Sequence, residues 1–228
     1  MRTNLVPLLG GLLLVSSAAL AGELSDAKLS LHVQPRAKKV TFVCDSAAPV
    51  DVACSQHNTS GTLETRYDVY LVVARVDPSE GIAGVTVGID YDEDIHVTQW
   101  NLCAPLEFPY GRWPEAAGGD RIVWGGGTYC QRSTVPGHEE EGTHAIAGSF
   151  YVYAYAPGDL YLTVNSAVLT QPELRITNCS SKNVPLDPDT LPLVRFSESG
   201  SEPGVSPCAL DPVPVKPTSW GRVKRGTK

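Results

Sequence analysis

The sequence predicts an all-β fold, an antiparallel β-sandwich. Three observations predict it. Short apolar runs rich in Val, Ile and Tyr recur along the chain, bounded by Gly, Pro, Asp and Ser. In the run 84–91, Val85, Val87, Ile89 and Tyr91 alternate with Gly84, Thr86, Gly88 and Asp90, the period of a half-buried strand. No sustained helical period lies between the runs, so crossover helices and a parallel sheet are not expected.

Taken in order, the chain opens with a targeting signal. Arg2 precedes an apolar stretch from Leu5 to Leu20, and Ala19-Leu20-Ala21 forms a small-x-small cleavage site. Residues 1–21 therefore read as a signal peptide. Their apolar core is too short for a membrane span, and no transmembrane segment is expected after cleavage. Residues 22–182 read as the sandwich domain and 183–228 as an extended proline-rich tail. Residues 184–217 hold eight of the 18 prolines, and the end of the chain is basic, with Lys216, Arg222, Lys224, Arg225 and Lys228.

Within the domain, Leu29 to Val33 alternates as a first edge strand ended by Pro35, and Val40 to Cys44 is a second short candidate. Tyr67 to Val76 is apolar on both faces and belongs in the middle of a sheet. Gly84–Tyr91 and Ile95–Trp100 follow as the next two strands. Residues 106–114, aromatic and broken by Pro109 and Pro114, are expected to be irregular. Arg121 to Trp124 is a short strand stopped by Gly125-Gly126-Gly127. His144 to Tyr155 is a strong strand, with Leu160 to Asn165 expected as its hairpin partner and Leu174 to Ile176 as an edge. Weak helical character is confined to 209–225.

Six cysteines in an exported chain read as disulfides: Cys44, Cys54, Cys103, Cys130, Cys179 and Cys208. Proximity along the chain suggests Cys44–Cys54, Cys103–Cys130 and Cys179–Cys208, out of 15 possible connectivities. No C-x-x-C pair points to zinc. The net charge of −7 argues against nucleic acid as partner.

The stretch Asp68 to Val76, then Gly81-Ile82-Ala83-Gly84, then Val87 to Asp92 resembles the opening strands of cohesin modules. Leu162 to Leu169 resembles their closing strand. The resemblance covers roughly residues 66–170 and implies an Ig-like, cohesin-like sandwich that binds a protein partner. This chain departs from the pattern with Glu93 where the turn usually has proline, with six cysteines and with its proline-rich tail. The segments Trp100 to Pro109, Gly111-x-Trp113-Pro114, Cys130-Gln131 and Ala145 to Val152 also resemble a group of exported bacterial proteins of uncharacterised role.

Candidate chemistry is sparse. Tyr151, Tyr153 and Tyr155 alternate on one face of their strand, opposite Phe150, Val152 and Ala154. Such a stripe offers an apolar body with polar tips to a protein or a glycan, and Trp113 and Tyr110 are candidates to extend it. Asp90, Asp92 and Asp94 are a candidate calcium cluster, since clustered oxygens suit a hard cation, though the spacing is not that of an EF-hand; no other cofactor is expected. His138 and His144 stand six apart, not the four that a zinc-protease helix needs. No G-x-S-x-G and no Walker or Rossmann glycine motif occurs. The expected function is a non-catalytic binding or structural module, secreted or periplasmic, with or without attachment to the cell surface. The alternative is an extracytoplasmic hydrolase of unrecognised type, with His138, His144 and nearby carboxylates converging.

Overall fold

A computed structural model describes residues 26–36, 44, 52–167 and 172–210. The expected signal peptide, the strand proposed over 40–44 except for Cys44, and the basic segment 216–228 lie outside the described residues. What is described is nearly all β: two sheets face each other across one core, with a single turn of α-helix, Pro207–Leu210, near the end.

The strands in chain order are β1 (Lys28–Pro35), β2 (Ser60–Thr62), β3 (Arg66–Val76), β4 (Gly84–Tyr91), β5 (Ile95–Leu102), β6 (Leu106–Tyr110), β7 (Gly119–Val123), β8 (Thr143–Ala154), β9 (Gly158–Thr163), β10 (Arg175–Thr177), β11 (Asn183–Pro185) and β12 (Leu193–Ser197). The smaller sheet runs β1-β3-β8-β5. The larger runs β11-β10-β4-β9-β12-β2, with the β6–β7 hairpin attached to the other side of β4. All pairings are antiparallel except that of β12 with β2.

Period-two alternation places the core. Val69, Leu71 and Val73 of β3, Phe150 and Val152 of β8, Val85, Val87 and Ile89 of β4, and Leu160 and Leu162 of β9 all point between the sheets and are buried. β3 is also apolar on its other face because a second, small core lies there. Tyr70, Val72 and Ala74 are covered by Cys54 and Cys208, which are bonded to each other. Segment 52–57 and the Pro207–Leu210 helix thus form a flap over half of the outer face of the smaller sheet.

Several expectations are corrected. Residues 106–110 are regular: Leu106 to Tyr110 pair with β7, and Pro109 is tolerated because β6 is an edge strand. β9 is not a hairpin partner of β8; it crosses to the larger sheet and pairs with β4 and β12. β10 is not an edge but lies between β4 and β11. The region from 183 is not only a tail, since β11 and β12 complete the larger sheet and bury Val194 and Phe196. The prolines Pro185 and Pro192 flank or end these strands, which is where a sheet accepts proline. The cysteines are all bonded, but as Cys44–Cys103, Cys54–Cys208 and Cys130–Cys179. Pairing by sequence proximity fails because the chain alternates between sheets, so residues near in space are far apart in sequence.

Candidate functional site

The half of the smaller sheet's outer face that the flap leaves open carries the tyrosines. β8 turns Tyr151 and Tyr153 outward because Val152 and Ala154 are buried in the core. Across β8, β5 sets His96 opposite Tyr153 and Gln99 opposite Tyr151, and β3 sets Arg66 and Asp68 opposite the same two tyrosines. Tyr151 and Tyr153 are half-buried, and Tyr155, just past the strand, is 59 % exposed.

The rings hold one another. Tyr153 and Tyr155 meet at 4.6 Å between centroids with planes at 63°, and His96 meets Tyr155 at 4.8 Å and 80°. Such edge-to-face contacts are the favoured arrangement for aromatic pairs and fix the stripe in place. At its other end the Arg36 guanidinium lies over the Tyr151 ring at 4.4 Å and 3.8 Å from Asp68. Burial raises the Asp68 pKa above the usual range, and the Arg36 charge opposes this.

Trp113 and Tyr110 do not extend the stripe. They belong to the β6–β7 hairpin of the other sheet. Trp113 packs against Trp100 at 5.2 Å and Phe150 at 5.4 Å, at the edge of the core, and Tyr110 is half-buried at the end of β6. The carboxylates Asp90, Asp92 and Asp94 do not converge either. Asp90, on β4, accepts from the Tyr91 N–H at 2.9 Å, and Asp92, in the turn that follows, accepts from the Asp159 N–H at 2.8 Å. Among the described residues, no three His, Cys, Asp or Glu side chains are placed to hold a metal ion. His138 and His144 have different neighbours: His138 lies 3.7 Å from Glu140 on a surface loop, whereas His144 is buried against the His57 ring.

Two buried polar constellations escaped the sequence. Under the flap, His32, His57 and His144 pack ring to ring, at 5.0 Å for the first pair and 5.5 Å for the second. Ser30, fully buried, hydrogen-bonds His57 Nδ1 at 2.8 Å, and His57 Nε2 lies 3.3 Å from the Val52 carbonyl. Burial first, then repulsion from His144, lowers the His32 pKa to about 4; burial, then His32 and His144, lower that of His57 to about 3. A Ser–His pair with its hydroxyl sealed from solvent holds the flap down and has no access to a substrate. The available signal was the two-faced apolarity of β3, which implies a covered outer face.

The second constellation lies between β6, β7 and β5. Asp120 is fully buried, and its pKa is pushed up to about 7 by burial, then by the hydrogen bond and charge of Glu107. It accepts from the Phe108 N–H at 3.2 Å, while Glu107 accepts from Trp100 Nε1 at 2.7 Å. The Asp120–Glu107 contact ties β7 to β6, and the Trp100–Glu107 bond ties the hairpin to β5.

The histidines set an acid limit. Both folded pKa values lie below the unfolded value, so their contribution is complete above about pH 6.5 and is lost as pH falls through 4 and 3. We expect wild-type stability to fall by a few kcal/mol between pH 6.5 and pH 4 from this source (about 1.4 kcal/mol per pKa unit). Asp120 works in the opposite sense, because its folded pKa is raised and its contribution fades as pH rises through about 7. Urea unfolding of wild type and of His32→Asn/His57→Asn across this range separates the two. The variant curve is expected to lose the acid-side slope, and parallel curves would refute the assignment.

No family model matches the chain, and no curated protein matches it. Solved structures similar to it include a cohesin module from a Clostridium perfringens family 33 glycoside hydrolase, at 9 % identity and a TM-score of 0.39, over 61 % of this chain and 91 % of that one. A type II cohesin domain from the cellulosome of Acetivibrio cellulolyticus is similar at 5 % identity and a TM-score of 0.33, over 69 % and 87 %. The fold assignment stands on the two sheets themselves.

Proposed function

We propose that the protein is an exported, non-catalytic binding module that meets a protein partner through the open half of the β1-β3-β8-β5 face. One observation carries the reading: Tyr151, Tyr153, Tyr155 and His96 form a preordered aromatic patch on a rigid sheet. Tyrosines of this kind, apolar in body and polar at the tip, are enriched among the residues that dominate protein interfaces. A glycan platform presents a flat ring to a sugar, whereas these rings stand at 63° and 80° to one another, which favours a protein. Three disulfides suit an oxidising compartment outside the cytoplasm. Among the described residues no helix is long and apolar enough to cross a membrane.

The test is a quantitative pull-down from the producing organism's exported proteins, with wild type and a Tyr153→Ala/Tyr155→Ala variant of unchanged melting temperature. A specific protein retained by wild type should be lost at least tenfold by the variant, about 1.4 kcal/mol or more. Equal retention by both would refute the face. Retention by a glycan array in place of protein would refute the partner class.

A further inference from the structure

We propose that a groove on the outer face of the larger sheet is a second binding site, for a small ligand that carries a single carboxylate. It shares no residue with the tyrosine face and does not depend on it.

The groove follows from the alternation along β4. Its outward residues at the open end are small, Gly84 and Thr86. The flanking strands present long ones: Arg121 and Val123 from β7, paired opposite Thr86 and Gly84, and Arg175 and Thr177 from β10, paired opposite the same two residues. A floor of small side chains between two walls of large ones leaves a trough of about 400 Å³, closed at one end by Gly125 and Gly126. That is the scale of a monosaccharide or dipeptide site.

Its charge is unbalanced. Arg121 Nη2 and Arg175 Nη2 both reach the same oxygen of Glu173, Oε2, at 2.9 and 3.0 Å. Two guanidiniums thus share one carboxylate, and the Nε of each, buried, has no acceptor. Arg195 on the same sheet shows the contrast, since both its Nε and its Nη2 are satisfied by Asp159 at 2.9 Å each. The groove therefore keeps about one net positive charge on a chain whose net charge is −7. Both arginines retain solvent exposure, 36 % and 25 % of their side chains.

Guanidinium forks match the planar carboxylate, and Glu173 already shows one carboxylate oxygen seated between the two. Its own negative charge disfavours a dianion such as phosphate or sulfate, which would carry more charge than the groove can neutralise. Thr177 and Asn183, joined through the Thr177 hydroxyl at 2.6 Å, add hydrogen-bonding groups for the rest of the ligand. A carboxylate of this size comes from a uronic acid or from an acidic amino-acid residue.

The test titrates the full chain with glucuronate, N-acetylglutamic acid α-amide (which keeps only the side-chain carboxylate), glucose and sulfate, followed by calorimetry and by amide chemical shifts. Saturable binding of glucuronate or N-acetylglutamic acid α-amide is expected, at least tenfold tighter than glucose or sulfate; the tighter of the two acids names the source. Arg175→Gln should weaken it at least tenfold. Gly126→Phe should do the same while leaving both arginines in place, since a Cβ there meets nothing nearer than the Cys179 carbonyl oxygen at 3.9 Å. Shifts should concentrate on residues 83–86, 121–126 and 175–183. No saturable binding of either acid, equal binding of glucose or sulfate, or wild-type affinity in a folded Gly126→Phe variant would overturn the proposal.

Discussion

Phe196→Ala is expected to destabilise the protein by about 4 kcal/mol, the cost of truncating a fully buried aromatic. Phe196 sits on β12, is 0 % exposed and packs its ring 5.7 Å from that of Tyr67. It also lies against Gly61 of β2, whose lack of a side chain is required there: a Cβ would come within 2.7 Å of the Phe196 ring. The residue stands in a segment whose prolines read as a tail, and a tail residue would cost nearly nothing to truncate. Urea unfolding decides between the two. A loss below about 1 kcal/mol would mean that β12 is not part of the core.

Removing the Cys54–Cys208 bond, as Cys54→Ala/Cys208→Ala, is expected to have an effect of similar size. The bond closes a loop of 154 residues. The chain-entropy model assigns such a loop about 5 kcal/mol, and losses of 2–5 kcal/mol are typical. A further readout separates loss of the flap from a general weakening. Release of the flap exposes His32 and His57, whose depressed pKa values arise first from burial. Their ring resonances should therefore titrate near pH 6.5 in the variant while the amide signals of β4 and β8 stay native. Native sheets with unchanged histidine titration would show that the bond does not hold the flap.

How much of this was legible in the sequence depends on where the physical signal is local. β4 was readable because its alternation, Val85, Val87 and Ile89 inward, is written within one strand. The inward set of β8 was readable for the same reason, and with it the outward tyrosines. β6 was not, because Pro109 and the aromatic residues around it look like loop until an edge position makes proline acceptable. The disulfides were legible as a set and not as pairs, since Cys54 meets Cys208 only after the whole sandwich has closed. The groove was not legible: Gly84 and Thr86 read only as the second face of a strand, and Arg121 and Arg175 come from strands far away in sequence. The clustered histidines carried no pattern of their own. His32, His57 and His144 lie on three separate segments, and only the apolar outer face of β3 hinted that something covered it.

The parallel pairing of Ser60–Thr62 with Leu193–Ser197 bears on the order in which the chain is delivered. β2 occupies the far end of the larger sheet, and among the described strands it pairs there with β12 alone. A polypeptide emerging amino-terminus first therefore presents β2 early and must leave it unpaired until more than 130 further residues have followed. The sheet cannot be completed from one end, and the covalent clasp to Cys208 comes later still. Contacts this distant in sequence form late, so the β2–β12 edge of the larger sheet closes only after the smaller sheet has all its strands.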